Sequence, residues 1–250
     1  MSAPDWLVAQ PIAHRGLHDP ARGIAENSLG AAEAAIAGRF AIECDVQLSR
    51  DGEAMVFHDD SLRRLVRGRG PVAARSVAEL QALPLRIGGE SMPTLPELLA
   101  CIAARTPLIC ELKSAFDGDF RLAERVVAIA RDYGGPLALK SFDPGVIAHL
   151  RAHHDGVAPL GIVAESQYKG WDWRALSAEQ KRSCAAFTHY PQTRPDFISW
   201  SVDDLPHPTP FLLRTLRGLP VMTWTVRTPT QRRAAAQWAD QIVFEGQPTD

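Results

Sequence analysis

The 250-residue chain carries 27 Lys and Arg against 29 Asp and Glu, a formal net charge of −2, with 46% hydrophobic residues. That balance excludes the basic excess of a nucleic-acid binder and the low hydrophobicity of a disordered chain. No apolar run approaches the roughly 18–20 residues that cross a bilayer, which excludes stable membrane insertion by a helix.

The opening MSAPDWLVAQPIAHRG has neither a basic n-region nor an apolar h-region, so no secretory signal is read. Cys44, Cys101, Cys110 and Cys184 lack C-x-x-C spacing and read as reduced thiols of a cytoplasmic protein. In chain order, apolar runs suited to strands buried on both faces fall at residues 10–13, 40–48, 107–112, 136–140, 158–163, 197–201, 221–226 and 241–244. Helical stretches fit between them. Residues 26–37 follow the first strand, with Asn27 or Ser28 as cap, and 119–131 follow the third. Asp143 before Pro144 has the form of a cap followed by proline at the first helical position, and Thr228 before Pro229 repeats it. Further helices are expected over 143–151, 177–186, 209–217 and 228–238.

Eight strands alternating with helices predict a parallel sheet, and this length favours closure into a (β/α)8 TIM barrel. Between the second and third strands lies far more chain than one crossover helix needs. It holds an apolar run at 54–57, an Arg/Gly-rich loop at 63–70 and helical pieces near 77–83 and 95–104. Residues 50–105 therefore read as an insertion over the barrel rim, after the second strand, within a single domain spanning 1–250. Only residues 245–250 follow the last strand, too few for an eighth outer helix.

In a parallel barrel the active site forms at the carboxyl ends of the strands, so polar residues there are candidates. The first strand ends in His14-Arg15-Gly16, the second contains Glu43-Cys44-Asp45, the third ends in Glu111-Leu112-Lys113, and the seventh carries Trp224. His58-Asp59 follows the run at 54–57. Strand alternation puts Glu43 and Asp45 on one face and Ile42, Cys44 and Val46 on the other; likewise Glu111 and Lys113 oppose Cys110 and Leu112. An isolated E-x-D reads as solvated rim charge. Set within an apolar strand, with Glu111 in an equivalent position, it reads as part of a converging set. Three such carboxylates must retain protons or bind a cation. An all-oxygen set selects a hard divalent ion, Mg²⁺ or Ca²⁺, rather than Zn²⁺. Arg15 and Lys113 suit phosphate oxygens, or else pair with neighbouring acids. His14 and His58 can move protons near neutral pH. Together these groups meet the needs of phosphodiester hydrolysis.

The blocks IAHRGLHDP…ENS, IECDVQLSRDGEAMVFHDDSL and CELKS, in this order and spacing, resemble the glycerophosphodiester phosphodiesterases. KSFDP and MTWTV extend the likeness over most of the chain. The resemblance implies a (β/α)8 barrel with an insertion after the second strand. It implies Glu43, Asp45 and Glu111 as ligands of Mg²⁺ or Ca²⁺, His14 and His58 as the acid–base pair, and Arg15 with Lys113 on phosphate. Glu26 would be a supporting polar residue, and Trp224 would line the pocket beside the glycerol. The implied activity is metal-dependent hydrolysis of a small-molecule glycerophosphodiester to glycerol 3-phosphate and an alcohol. A lipid phosphodiesterase of sphingomyelinase D or lysophospholipase D type shares fold and motifs. A non-catalytic phosphate-binding barrel would not need two proton carriers. The last strand departs from the family, reading IVFEGQP where a Thr-Asp pair is frequent, and SWSVDDLPHP has no family counterpart. His18, His149, His153, His154, His189 and His207 read as structural, Trp171 and Trp173 as loop packing, and the arginines of residues 63–69 as a solvated loop.

Overall fold

The computed structural model describes residues 3–170 and 173–246. By internal packing the chain forms two compact units. One comprises residues 12–113 and 120–137. It contains β1 (Ile12–Ala13), α1 (Leu29–Ala37), β2 (Ala41–Leu48), β3 (Ala54–Val56), α2 (Val77–Gln81), α3 (Leu95–Ile102), β4 (Leu108–Leu112) and α4 (Arg121–Arg131).

The Ser28 hydroxyl caps α1, accepting from the Ala31 amide at 3.1 Å. The helix therefore begins three residues later than expected, because Glu26 and Asn27 are held outside it by other partners. Ala31, Ala32 and Ala35 form its buried stripe, and side chains that small let the helix approach β1 and β2 closely. Capping boxes start α2 at Ser76–Glu79 and α3 at Thr94–Glu97, each satisfying orphan amides of the first turn. The apolar run after β2 is the strand β3, antiparallel to β2 with Val46 opposite Val56 and Leu48 opposite Ala54. The stretch expected as an insertion carries its own apolar cluster. Met55, Phe57, Leu62, Val66, Val72, Leu80 and Met92 are all fully buried within it. That cluster holds the long loop in place of regular structure.

The other unit comprises the residues up to 11, 114–119 and those from 138 onward. It is built from β5 (Leu137–Ser141), α5 (Pro144–His153), β6 (Leu160–Ala164), α6 (Ala178–Ala186), α7 (Tyr190–Thr193), β7 (Phe197–Ser201), α8 (Pro208–Arg217), β8 (Val221–Val226), α9 (Pro229–Trp238) and β9 (Gln241–Phe244). Both expected cap-then-proline starts form: Asp143 accepts from the Gly145 amide at 2.8 Å, and Thr228 from Gln231 at 3.2 Å. The single turn α7 was not anticipated, since a proline at its start and four residues of length leave no periodic pattern.

Among the described residues the strands hydrogen-bond in the order β1-β9-β8-β7-β6-β5-β4-β2-β3, and β1 also pairs with β2. Eight strands thus close on one another with helices between them, and β3 is an added antiparallel partner. This is the expected (β/α)8 barrel. All eight expected strands form, displaced by no more than two residues at either end, because burial over most of their length makes them runs of mainly apolar residues. Residues 247–250, on which the expectation of a missing last helix largely rests, lie outside the described residues, as does Trp171. No helix among the described residues is long and apolar enough to cross a membrane.

Candidate active site

All the sequence-expected site residues except Trp224 lie in the first unit. β1 ends at Ala13, and His14 leads into a turn where Arg15 (φ 57°) and Gly16 (φ 76°) both adopt left-handed backbone. A Cβ on Gly16 would lie 2.7 Å from the Ala31 Cβ, so the turn can press against α1 only with glycine there. The turn is pinned to β2: the Gly16 amide donates to the Glu43 carbonyl at 3.1 Å and the Arg15 amide to Glu43 Oε2 at 3.1 Å.

Glu43 and Asp45 occupy alternate positions of β2, and the parallel register with β4 sets Asp45 opposite Glu111. Their side chains therefore share a face, as alternation predicted. They are 0%, 1% and 4% exposed, and each offers a carboxylate oxygen within 4.8 Å of the other two. Two cations stand against these three acids. Lys113 Nζ lies 2.8 Å from Asp45 Oδ1 and 2.5 Å from Glu111 Oε1, and Arg15 Nε lies 3.3 Å from Asp45 Oδ2. Burial opposes ionisation of Asp45, but Lys113 and the other nearby positive groups outweigh it and hold the carboxyl well below the usual carboxylate range. Burial likewise opposes the charge on Lys113, and Asp45 with Glu111 reverses that and raises it above the ordinary lysine value.

The donor set fits a divalent cation. Three buried carboxylates converge, and all donors are oxygen. Hard ions that take oxygen ligands match that chemistry, whereas thiolate- or imidazole-seeking ions do not.

Asn27 holds a left-handed backbone (φ 54°) between the turn and α1. Its amide donates to the Arg15 carbonyl at 2.9 Å. Its side chain donates to Asp45 Oδ2 at 2.9 Å and accepts from the Asp45 amide at 3.2 Å. Expected only as a candidate cap, it instead braces an acid of the cluster.

His14 is buried, with Nε2 3.9 Å from Glu43 Oε2. His58 follows β3, where the Phe57 amide donates to the Asp45 carbonyl at 2.9 Å and ties this segment to the acid-bearing strand. Gln47 reinforces it, donating to the carbonyls of Phe57 and Asp59 at 3.1 and 2.6 Å. His58 Nδ1 lies 2.8 Å from Asp59 Oδ1. Burial raises the Asp59 carboxyl, but hydrogen bonds from His58 and Arg64 outweigh it and bring the group far below its ordinary range.

Arg15, expected on phosphate, donates from Nη1 to Glu26 Oε1 at 2.7 Å in addition to facing Asp45. Glu26 is also gripped by Arg64. Arg64 belongs to the loop expected to be solvated and is exposed, yet it turns back onto two acids, with Leu62, Leu65 and Val66 around it buried. Trp224 lies on β8 of the other unit, donating to the Ser199 carbonyl at 2.9 Å with its ring edge-on to Phe142 at 5.3 Å. Trp173 packs against Phe142 and Tyr168, both at 4.9 Å, as loop packing requires.

The model of the glycerophosphoryl diester phosphodiesterase family matches residues 14–250. A glycerophosphodiester phosphodiesterase of Caldanaerobacter subterraneus subsp. tengcongensis is 32% identical over 130 residues, 49% of this chain and 52% of its own length. One from Bacillus altitudinis is 31% identical over 109 residues, 41% of this chain and 43% of its own. The matched segments thus span about half the length of these relatives or less. A phosphodiesterase of Oleispira antarctica, solved in complex with the product sn-glycerol-3-phosphate, superposes with a TM-score of 0.76 at 23% identity, covering 96% of this chain and 93% of that one. The glycerophosphodiester phosphodiesterase of Thermotoga maritima gives a TM-score of 0.70 at 22% identity over 93% and 92% of the two chains. Those two likenesses carry the fold. With a family model matched from His14 through the last residue, the chain belongs to the glycerophosphoryl diester phosphodiesterase family.

Proposed function

We propose that this chain hydrolyses glycerophosphodiesters to glycerol 3-phosphate and a free alcohol, with a divalent cation at Glu43, Asp45 and Glu111. The observation that carries the reading is the buried meeting of those three carboxylates next to His14 and the His58–Asp59 pair. Mg²⁺ or Ca²⁺ suits the donors, and a bound ion supplies neutralisation of the phosphate's negative charge. Lys113, partly exposed beside the acids, keeps a positive charge available to a phosphate oxygen. Arg15 acts chiefly through its ties to Glu26 and Asp45, which hold the acid cluster in shape.

In the proposed reaction a hydroxyl oxygen forms a bond to phosphorus and the bond from phosphorus to the alcohol oxygen breaks. One histidine takes the proton of the attacking hydroxyl and the other gives a proton to the departing alcohol, so the pair ends with its protons exchanged. His58 is set up for either duty, since Asp59 fixes Nδ1 and leaves Nε2 to work. The four cysteines are unpaired thiols, which supports the reading of a reducing, cytoplasmic setting.

Incubation of cation-loaded protein with glycerophosphocholine, glycerophosphoethanolamine, glycerophosphoinositol, lysophosphatidylcholine and sphingomyelin, in H₂¹⁸O, tests the proposal by product mass. Glycerol 3-phosphate carrying ¹⁸O, lost on chelation, is the expected result. Cleavage of the intact lipids in preference to the water-soluble diesters transfers the chain to the lipid-cleaving reading. No turnover with any divalent ion overturns the assignment.

A further inference from the structure

We propose that Arg64 is a positioning residue that fixes the Asp59–His58 pair for proton transfer and ties it to the acid cluster through Glu26. The inference rests on the acid–base reading of His58. Arg64 is 47% exposed at its side chain, yet every nitrogen of its guanidinium is engaged. Nε donates to Asp59 Oδ2 at 2.7 Å and Nη2 to Asp59 Oδ1 at 2.6 Å. Nη1 donates to Glu26 Oε2 at 2.7 Å and Nη2 also to Glu26 Oε1 at 2.9 Å. Two forked contacts on two carboxylates use the planar geometry that an arginine has and a lysine lacks.

The consequence for His58 follows from what the fork leaves possible. Asp59 Oδ1 faces both His58 Nδ1 and Arg64, while Oδ2 is taken by Arg64. A carboxylate fixed through both oxygens cannot turn away from the ring. It accepts only, so Nδ1 carries a proton toward Asp59 and Nε2 is the ring nitrogen left for proton transfer. Glu26, held on both oxygens by Arg64, also receives Arg15 on Oε1 at 2.7 Å, and Arg15 reaches Asp45 at 3.3 Å. A continuous chain therefore runs His58–Asp59–Arg64–Glu26–Arg15–Asp45, linking a proton carrier to an ion ligand. The backbone under Arg64 is firm. The Val66 amide donates to the Leu62 carbonyl at 3.0 Å, the Arg86 amide donates to the Leu65 carbonyl at 2.8 Å, and Leu62, Leu65 and Val66 are buried. With its donors committed to acids, Arg64 acts through His58 rather than on substrate.

The test compares wild type, Arg64→Ala, Arg64→Lys and His58→Ala in the 250-residue chain with a saturating divalent ion and glycerophosphocholine. For Arg64→Ala, kcat falls about 10–100-fold, the size found for partners that orient reactive groups, and KM stays within about twofold. Arg64→Lys recovers little of this loss. Added millimolar guanidinium restores part of kcat to Arg64→Ala and none to His58→Ala. Independently of turnover, ¹⁵N spectra of the His58 ring, recorded without ion or substrate, change from a fixed Nδ1–H tautomer in wild type to a mixture in both Arg64 variants. A raised KM with unchanged kcat makes Arg64 a substrate contact and overturns the proposal, as does a wild-type ring spectrum in Arg64→Ala. Full turnover by His58→Ala defeats the acid–base reading instead, and the ring spectra still decide whether Arg64 holds His58.

Discussion

Replacing Lys113 with methionine removes one of the two positive charges facing the buried acids while keeping the stem's volume. Three carboxylates against two cations give the cluster a formal charge of −1; three against one give −2. Nζ lies 2.8 Å from Asp45 Oδ1 and 2.5 Å from Glu111 Oε1, and both acids are almost wholly enclosed. Deleting one partner of a buried ion pair costs about 3–5 kcal/mol. The ammonium keeps 21% side-chain exposure, so the lower end, about 3 kcal/mol, applies. At this chain length each kcal/mol is worth roughly 2–4 °C, giving a fall of about 6–12 °C in Tm for chelated protein. Lys113 is held above its ordinary value of 10.5, so its contribution is whole below that pH and fades only as the solution is made more alkaline. A divalent ion at about 100 times its Kd returns roughly 2.7 kcal/mol to the variant. Wild type gains less from the same ion concentration, because Lys113 already neutralises the oxygens that the ion must take. Thermal melts in EDTA and through Mg²⁺ and Ca²⁺ titrations give both numbers. Equal melting in EDTA, or equal increments per decade of ion, would refute the view that lysine and cation compensate the same acids.

Alanine at His14 or His58 lowers kcat by roughly 10² or more with the fold retained, as loss of a proton carrier does; near-normal hydrolysis by both variants removes the proposed pair. His189 is enclosed, with Nε2 lacking a hydrogen-bond partner among the described residues, and burial pushes its pKa from 6.5 down to about 4. The unfolded chain therefore binds the proton first, and stability is intact above about pH 6.5. Acidification toward pH 4 removes up to about 3 kcal/mol, and melts of wild type against His189→Gln across pH 7 to 4 should diverge. Parallel pH slopes contradict it. Asn27→Ala strips two bonds from Asp45 and leaves alanine in left-handed backbone, costing about 1–3 kcal/mol for the bonds and 1–2 for the backbone. Asn27→Gly carries only the former, so the two variants should differ in urea midpoint; identical midpoints would place no strain at this residue.

The barrel was readable from the sequence because the strands are buried over most of their length, and their runs of mainly apolar residues announce them. Helix starts at Asp143 and Thr228 were readable because capping is local chemistry. The convergence of Glu43, Asp45 and Glu111 followed from the period of two on a strand once parallel pairing was assumed. What pairing across distance decides was not visible. Asn27 and Asp45 are 18 residues apart, and Arg64 and Glu26 are 38 apart, and no periodicity joins either pair. Arg64 stands among arginines with nothing in the sequence to single it out, and Arg15 suits phosphate and carboxylate equally there; its hydrogen bond to Glu26 and ion pair with Asp45 are decided by the fold.

The pairing of β2 with β4 has a consequence for donor chemistry. The same register that sets Asp45 opposite Glu111 sets Cys44 opposite Cys110 one step back, on the reverse side of the sheet. A hydrogen bond with Cys110 and deep burial keep the Cys44 sulfur protonated and inert there. A concerted slip of both strands by a single position against their other neighbours would exchange the faces of the sulfurs and the carboxylates, replacing hard oxygen donors with soft sulfur ones. The register of these two strands in the barrel thus also decides whether oxygen or sulfur faces the side on which the acids meet.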